Sequence, residues 1–280
     1  MDNRGWQRVL GIFIPWLFLV GFFQFFGLLF ARVDFMNGKH PETTIQHLII
    51  SIFDLIGTFL IIWIFVKFAD KDKFINLGFN IKNRYKDLYF GVFLGFISMF
   101  LGYMALIYNN EINYLTVKYN IKEIILSAFL FLIVAVVEET LFRGYILKNL
   151  MISFNKYIAL MISSLLFAIA HGANPNMSLF SFFDLFLAGI FLGISYIYTK
   201  NLWFPIALHF SWNLFQTFFG FNVSGQDMYS IIEFEIQENN LLNGGDFGFE
   251  GSILSTIFQI IFIFIIWFYY NKKEKTETTT

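Results

Sequence analysis

The amino-acid sequence predicts an all-α fold, a polytopic helical membrane bundle with about eight transmembrane helices around a polar intramembrane cavity. Two observations predict the bundle. Apolar residues make up 57% of the 280 residues and charged residues only 14%, whereas a soluble domain has roughly a quarter charged residues. The apolar residues also form stretches of about the 20 residues that a bilayer requires. A third observation, a set of polar residues inside these stretches, predicts the cavity.

The candidate spans follow one another along the whole chain, so residues 1–280 are interpreted as a single membrane domain. The fifth and seventh spans are short, which is typical of oblique or partly unwound helices beside a site. The polar tail, residues 271–280, has the composition of a disordered segment. The eight predicted spans are residues 9–30, 48–68, 88–108, 124–150, 157–171, 182–198, 203–219 and 253–270.

The distribution of lysine and arginine predicts the orientation, because these residues are enriched in cytoplasmic loops. Most of them fall on the cytoplasmic side if the N-terminus is cytoplasmic, so we expect both termini there. Loop 220–252 then lies outside, and its acidic residues predict a solvated surface rather than a metal site. We therefore expect an integral, multi-pass protein of a bacterial cell membrane that contacts membrane lipids.

Charge and cysteine content exclude several function classes. The net charge is −1, so no basic field indicates a nucleic-acid partner. The chain has no cysteine, which excludes disulfides, cysteine nucleophiles and thiolate metal sites.

Three charged residues interrupt the fourth predicted span. A charge at the bilayer centre costs roughly 2.5–3.5 kcal/mol on insertion scales. Glu139 and Arg143 are i and i+4 neighbours on a helix, so we expect them to form an ion pair. Glu138 points about 100° away from Glu139. It has no local partner and must face another polar group.

Two further spans offer such groups. His171 ends the fifth span, next to the helix-stop signals Gly172 and Pro175. His209 and Asn213 lie at i and i+4 near the start of the seventh, and so share one helix face. A structural polar network would explain the ion pair but not Glu138. Because ionisable groups inside a membrane usually mark functional sites, we favour a site where the three helices converge.

This residue set is suited to hydrolysis by an activated water. Glutamate and histidine can act as general bases, and histidine and asparagine can donate hydrogen bonds to a developing oxyanion. Glu138, His171 and His209 are also a zinc ligand set, so the residues leave both a metal-dependent and a metal-independent reaction open. On straight helices His209 would lie at a shallower depth in the membrane than Glu138. The two residues can therefore meet only if a helix is tilted or broken.

The three motifs together resemble those of the CPBP family of intramembrane proteases, also called the CAAX-protease, bacteriocin-processing or Abi family. EETLFR (138–143) is similar to the family's EExxxR, FAIAH (167–171) to FxxxH, and HFSWN (209–213) to HxxxN. Each motif alone is common, but the three occur in the family's order, each in an apolar span. The resemblance covers roughly residues 121–220, which we interpret as the catalytic core.

The resemblance implies a helical membrane fold with a cavity open to the cytoplasmic side. It implies that Glu138 activates water with the help of His171, that His209 and Asn213 hold the oxyanion, and that the supporting pair Glu139 and Arg143 holds the motif in place. A metalloprotease reading, with zinc or another divalent metal at Glu138, His171 and His209, and a metal-independent glutamate reaction both remain open. The family also implies a peptide or lipidated peptide as substrate.

The sequence therefore predicts a hydrolase, an intramembrane endopeptidase. The alternatives are a non-catalytic membrane scaffold or immunity factor, and a proton-coupled transporter that uses the same polar cluster. Other polar residues in or beside the spans, Gln24, Asp54 and Asp184, are expected to have no direct role. Asp184 is expected at a helix start, where the helix dipole stabilises its charge.

Overall fold

The computed structural model of the protein describes residues 4–38 and 40–279 and confirms the all-α, polytopic bundle. Six of its helical segments are long and apolar enough to cross a membrane. The fifth and seventh predicted spans form helices of only 15 and 16 residues. The helices are α1 (Gly5–Phe30), α2 (Thr44–Phe65), α3 (Tyr85–Tyr108), α4 (Ile121–Glu139), α5 (Lys148–Ser153), α6 (Lys156–Ala170), α7 (Leu179–Gly193), α8 (Tyr196–Thr199), α9 (Trp203–Phe218) and α10 (Ile253–Thr279).

A π-helix, Thr140–Leu147, joins α4 to α5. The apolar pattern predicts one uninterrupted helix here, because it does not distinguish α-helical from π-helical hydrogen bonding. π-Helical segments are rare and frequently occur at functional sites. In this chain the π-helix begins directly after the two glutamates of the first motif.

Side-chain caps fix where several helices begin. Asn120 accepts hydrogen bonds from the backbone N–H groups that open α4, and Asn155 does the same for α6. Ser178 caps α7, and Thr43 forms a capping box with Gln46 at the start of α2. These caps satisfy N–H groups that have no partner within the helix.

A two-stranded antiparallel sheet is the main departure from the all-helical prediction. Strand β1 (Ile112–Val117) follows α3 and pairs with β2 (Ile232–Ile236). Each strand is too short and too far from its partner along the chain for the sequence to predict the pairing.

The bundle has two ends of different charge. At the basic end Arg8 lies 3.4 Å from Asp70, Lys148 lies 2.7 Å from Asp72, and Lys156 lies 2.6 Å from Glu274. Both described chain termini lie there. The acidic end consists of residues 31–38 and 40–43, the β-sheet, residues 171–178 and loop 220–252.

Helix α10 continues to Thr279, through most of the segment, residues 271–280, whose composition predicts disorder. The ion pair between Lys156 and Glu274 joins this part of the helix to α6. Thr280 lies outside the described residues.

Helices α3 and α9 pack with their backbones close together. A Cβ atom added at Gly91 would lie 2.9 Å from the backbone nitrogen of Leu208, and one added at Gly95 would lie 2.6 Å from that of Trp212. Only glycine allows this approach, which sets the position of α9 and of the third motif on it.

Candidate active site

A cavity of about 920 Å³ lies in the half of the bundle nearer the acidic end. Helices α1, α2, α4, α6, α7 and α9 all contribute to its wall, together with loop residues of the acidic end. Four of its lining residues are the predicted site residues Glu138, His171, His209 and Asn213. The structure thus brings together the three motifs, which lie on separate helices.

Glu138 faces both histidines. Its Oε2 atom lies 3.6 Å from Nε2 of His171 and 4.0 Å from Nε2 of His209. These distances are too long for direct hydrogen bonds, so the carboxylate and both imidazoles can face a common water or substrate atom. Among the described residues Oε2 has no hydrogen-bond partner, although the atom is buried. A buried acceptor without a partner is costly, and a catalytic role is one explanation for it; Oε2 of Glu139 also lacks a partner among the described residues.

The orientation of His171 follows from the end of α6. Its Nδ1 atom lies 2.8 Å from the carbonyl oxygen of Phe167, which can only accept a hydrogen bond. Nδ1 therefore has the proton, and in the neutral ring Nε2 has a lone pair directed towards Glu138. The same bond satisfies one of the carbonyl groups left without a partner at the end of a helix.

Glu139 connects the first and third motifs. Its Oε1 atom accepts hydrogen bonds of 2.8 Å from Nη1 of Arg143 and from Nδ1 of His209. Arg143 also donates to the carbonyl of Gly189 at 3.0 Å, and its guanidinium lies 4.6 Å from the centre of the Phe167 ring. Glu139 and Arg143 are almost completely buried, and the structure contains the ion pair that their spacing predicts.

The position of α9 removes the predicted difference in depth between His209 and Glu138. The residue before this helix, Leu202, is fully buried and donates its N–H to the carbonyl of Gly78 at 3.0 Å. The helix therefore begins inside the protein, below a loop of the basic end, and not at its surface. His209 and Asn213 consequently reach the level of Glu138.

Glu138, His171 and His209 have the donor atoms of a zinc site, but their arrangement does not fit a metal ion as it stands. Among residues 4–38 and 40–279 no group of three histidine, aspartate or glutamate side chains has the geometry to hold a metal.

A second polar group lies in the cavity wall, in which Gln24 and Asp54 were expected to have no direct role and His47 and Ser51 were not predicted. Gln24, His47, Ser51 and Asp54 line it from α1 and α2, and Asp54 accepts a hydrogen bond of 3.0 Å from Thr58. Their polarity within apolar spans was the available signal, but they belong to no motif.

One interpretation of an acidic residue was wrong, and another holds for all but one of the residues concerned. Asp184 is not at a helix start but fully buried within α7, where it accepts hydrogen bonds from Ser255, Thr256 and Gln259 of α10. Loop 220–252 is not entirely a solvated surface, because it folds over the cavity. Its Glu250 is buried and accepts hydrogen bonds from the backbone and side chain of Ser224.

The mouth of the cavity and the chain termini lie at opposite ends of the bundle. Along α4 the lining residues end at Glu138, and residues 139–147 beyond it are all buried. The loop residues of the wall, such as Glu42, Pro175 and Asp227, all belong to the acidic end. A cavity open to the cytoplasm and cytoplasmic termini are therefore incompatible in this fold, so one of these two expectations is wrong.

Comparison with known proteins supports the motif assignment. Residues 120–215 match the family described as Type II CAAX prenyl endopeptidase Rce1-like. This segment contains all three motifs, and the match confirms the predicted resemblance to the CPBP intramembrane proteases. No curated protein and no solved structure matches the chain. The family indicates a hydrolase that acts on peptides at a membrane.

Proposed function

We propose that this chain, whose central segment matches the Rce1-like family, is an intramembrane endopeptidase in which Glu138 activates the water that hydrolyses a peptide bond. One observation supports the assignment most directly. The Oε2 atom of Glu138 is buried without a hydrogen-bond partner among the described residues and faces Nε2 of His171 and Nε2 of His209 inside the cavity.

Water activation follows from the two acceptors at the site. A water between Glu138 and His171 can donate one hydrogen bond to the carboxylate and one to Nε2 of the imidazole. When its oxygen attacks the carbonyl carbon of the substrate, Glu138 takes the released proton as general base. The bond from Nδ1 of His171 to the Phe167 carbonyl keeps Nε2 directed at the water.

The oxyanion formed by this attack needs donors on the opposite side of the carbonyl carbon. Asn213 can donate from its amide nitrogen. His209 can donate from Nε2 when it is protonated.

Proton transfer completes the reaction. Collapse of the tetrahedral intermediate breaks the C–N bond, and Glu138 returns its proton to the leaving amine. The products are one peptide with a new carboxylate and one with a new amine. The apolar wall formed by Phe131, Phe167 and Trp212 limits bulk water and strengthens these electrostatic contacts.

The test compares peptides in the membrane and medium of three strains, a deletion strain and the same strain complemented with the wild-type gene or with Glu138→Gln. We expect peptides that appear only with the wild-type protein, at equal membrane levels of both proteins. A scaffold, an immunity factor or a binding protein would keep its effect in the Glu138→Gln strain. A transporter would change peptide location without creating new peptide ends. Either result would contradict the proposal.

A further inference from the structure

The end of the bundle at which the cavity opens determines which peptides can reach Glu138. Most lining residues on helices that cross from one end to the other belong to the half nearer the acidic end. They are Gln24 in the second half of α1, residues 47–54 in the first half of α2, residues 130–138 of α4 and Phe167 near the end of α6, whereas residues 185–192 of α7 and 208–213 of α9 extend past the middle of their helices.

The path from the cavity to the basic end is filled by side chains. Leu77, Tyr145, Tyr196 and Leu202 are fully buried. The hydroxyl of Tyr196 donates to the carbonyl of Leu77 at 2.8 Å, and the N–H of Leu202 donates to the carbonyl of Gly78 at 3.0 Å. A peptide from this side would have to break these contacts, whereas a peptide from the acidic end meets the mouth directly.

The charges of the two ends indicate which one is cytoplasmic. The basic end contains Arg4 and Arg8, the lysines and arginine of segment 67–86, Lys148, Lys156, Lys200 and the basic residues of the end of α10. Loop 220–252, at the acidic end, contains six carboxylates and no lysine or arginine. Basic residues close to the ends of membrane helices are retained in the cytoplasm.

We propose that the cavity opens to the extracytoplasmic side, so that the substrate is an exported or membrane-tethered peptide presented at the outer surface. That the peptide is a substrate rests on the proposed function, whereas the access route depends on the fold alone. It separates this protein from an enzyme that trims the cytoplasmic ends of lipidated proteins, because such ends would meet the closed, basic end.

The absence of native cysteine allows a direct test with single-cysteine variants and a membrane-impermeant maleimide. Asp227→Cys and Glu238→Cys report on the acidic end, and Lys73→Cys and Lys82→Cys on the basic end; all four positions are exposed. In intact cells we expect the first pair to be labelled as fully as in detergent, and the second pair only after permeabilisation. The reverse pattern, or equal labelling of both pairs in intact cells, would overturn the proposal.

The cavity itself is tested at Val134, which lines it on the same face of α4 as Glu138. We expect the impermeant reagent to label Val134→Cys in intact cells. Leu132→Cys, on an exposed face of α4 outside the cavity, is the matched control and should stay unlabelled because it faces lipid. Labelling of Val134→Cys only after permeabilisation would refute outer access. Labelling from outside without any peptide cleavage would instead contradict the proposed function and leave the access route intact.

Discussion

Nδ1 of His209 donates a hydrogen bond of 2.8 Å to Oε1 of Glu139, although the two residues lie 70 positions apart in the sequence. The same carboxylate oxygen accepts from Arg143. This contact fixes the ring of His209 with Nε2 directed at Glu138. The two adjacent glutamates therefore have different roles, since Glu139 positions a histidine and Glu138 is left available for water.

Replacing Glu138 should remove activity without loss of stability. We expect Glu138→Gln to lower the rate of cleavage by about 10²–10⁴-fold, the usual contribution of a general base. The free energy of unfolding should stay the same or rise, because Oε2 has no partner to lose among the described residues. Cleavage rates and thermal unfolding in detergent measure both effects. Asp54→Asn, a second carboxylate of the cavity wall, is the control and should retain activity.

Replacing Glu139 should lower the stability of the protein as well as its activity. Glu139→Ala removes the charge partner of Arg143, which is 1% exposed, and breaking a buried ion pair costs about 3–5 kcal/mol. We expect a clear fall in the unfolding temperature together with loss of cleavage, since His209 also loses its hydrogen bond. Unfolding at the wild-type temperature would show that the pair does not hold the motif in place.

Replacing Asn213 should lower the rate of cleavage and leave the stability of the fold unchanged. Removing one oxyanion donor typically costs about 10²–10³ in kcat, so we expect Asn213→Ala to show a loss of this size with little change in KM. Gln216→Ala, less than one turn further along α9, is the matched control. Gln216 donates to the carbonyl of Asn222, and its loss should lower stability more than the rate. Equal effects of the two variants on the rate would argue against an oxyanion role.

Gly95 should be intolerant of substitution because α9 packs against it. A Cβ atom there would overlap the side chain of Ser211, so Gly95→Ala should displace α9 and lower both cleavage and the unfolding temperature. Gly21→Ala in α1 is the control, because an added Cβ there meets nothing within 4 Å. In a helix interior this change should be neutral or should stabilise by up to about 1 kcal/mol. If Gly95→Ala behaves like Gly21→Ala, the close approach of α3 and α9 is not required for the site.

Removal of divalent metal should leave cleavage intact. Among the described residues no three-ligand group has the geometry of a metal site, and in the proposed reaction Glu138 and His171 activate the water without a metal. We expect full activity after prolonged treatment with a chelator. Loss of activity that added zinc restores would instead support the metalloprotease reading of Glu138, His171 and His209.

Much of the site could be predicted from the sequence because charged and polar residues are costly inside a membrane. Glu138, His171, His209 and Asn213 stand out against apolar spans, and each must find a polar neighbour. The ion pair of Glu139 and Arg143 follows from helix periodicity alone. Asp184 could not be interpreted in this way, because its partners Ser255, Thr256 and Gln259 are uncharged polar residues on a distant helix.

The sequence by itself determined the class of fold, the approximate spans and the residues that must meet, since these depend on hydrophobicity and local spacing. Only the tertiary structure decided how they meet. The π-helix after Glu139, the close approach of α9 to Gly91 and Gly95, and the end at which the cavity opens all depend on contacts between distant segments. Such contacts join segments that are distant in the sequence, so hydrophobicity and local spacing alone do not determine them.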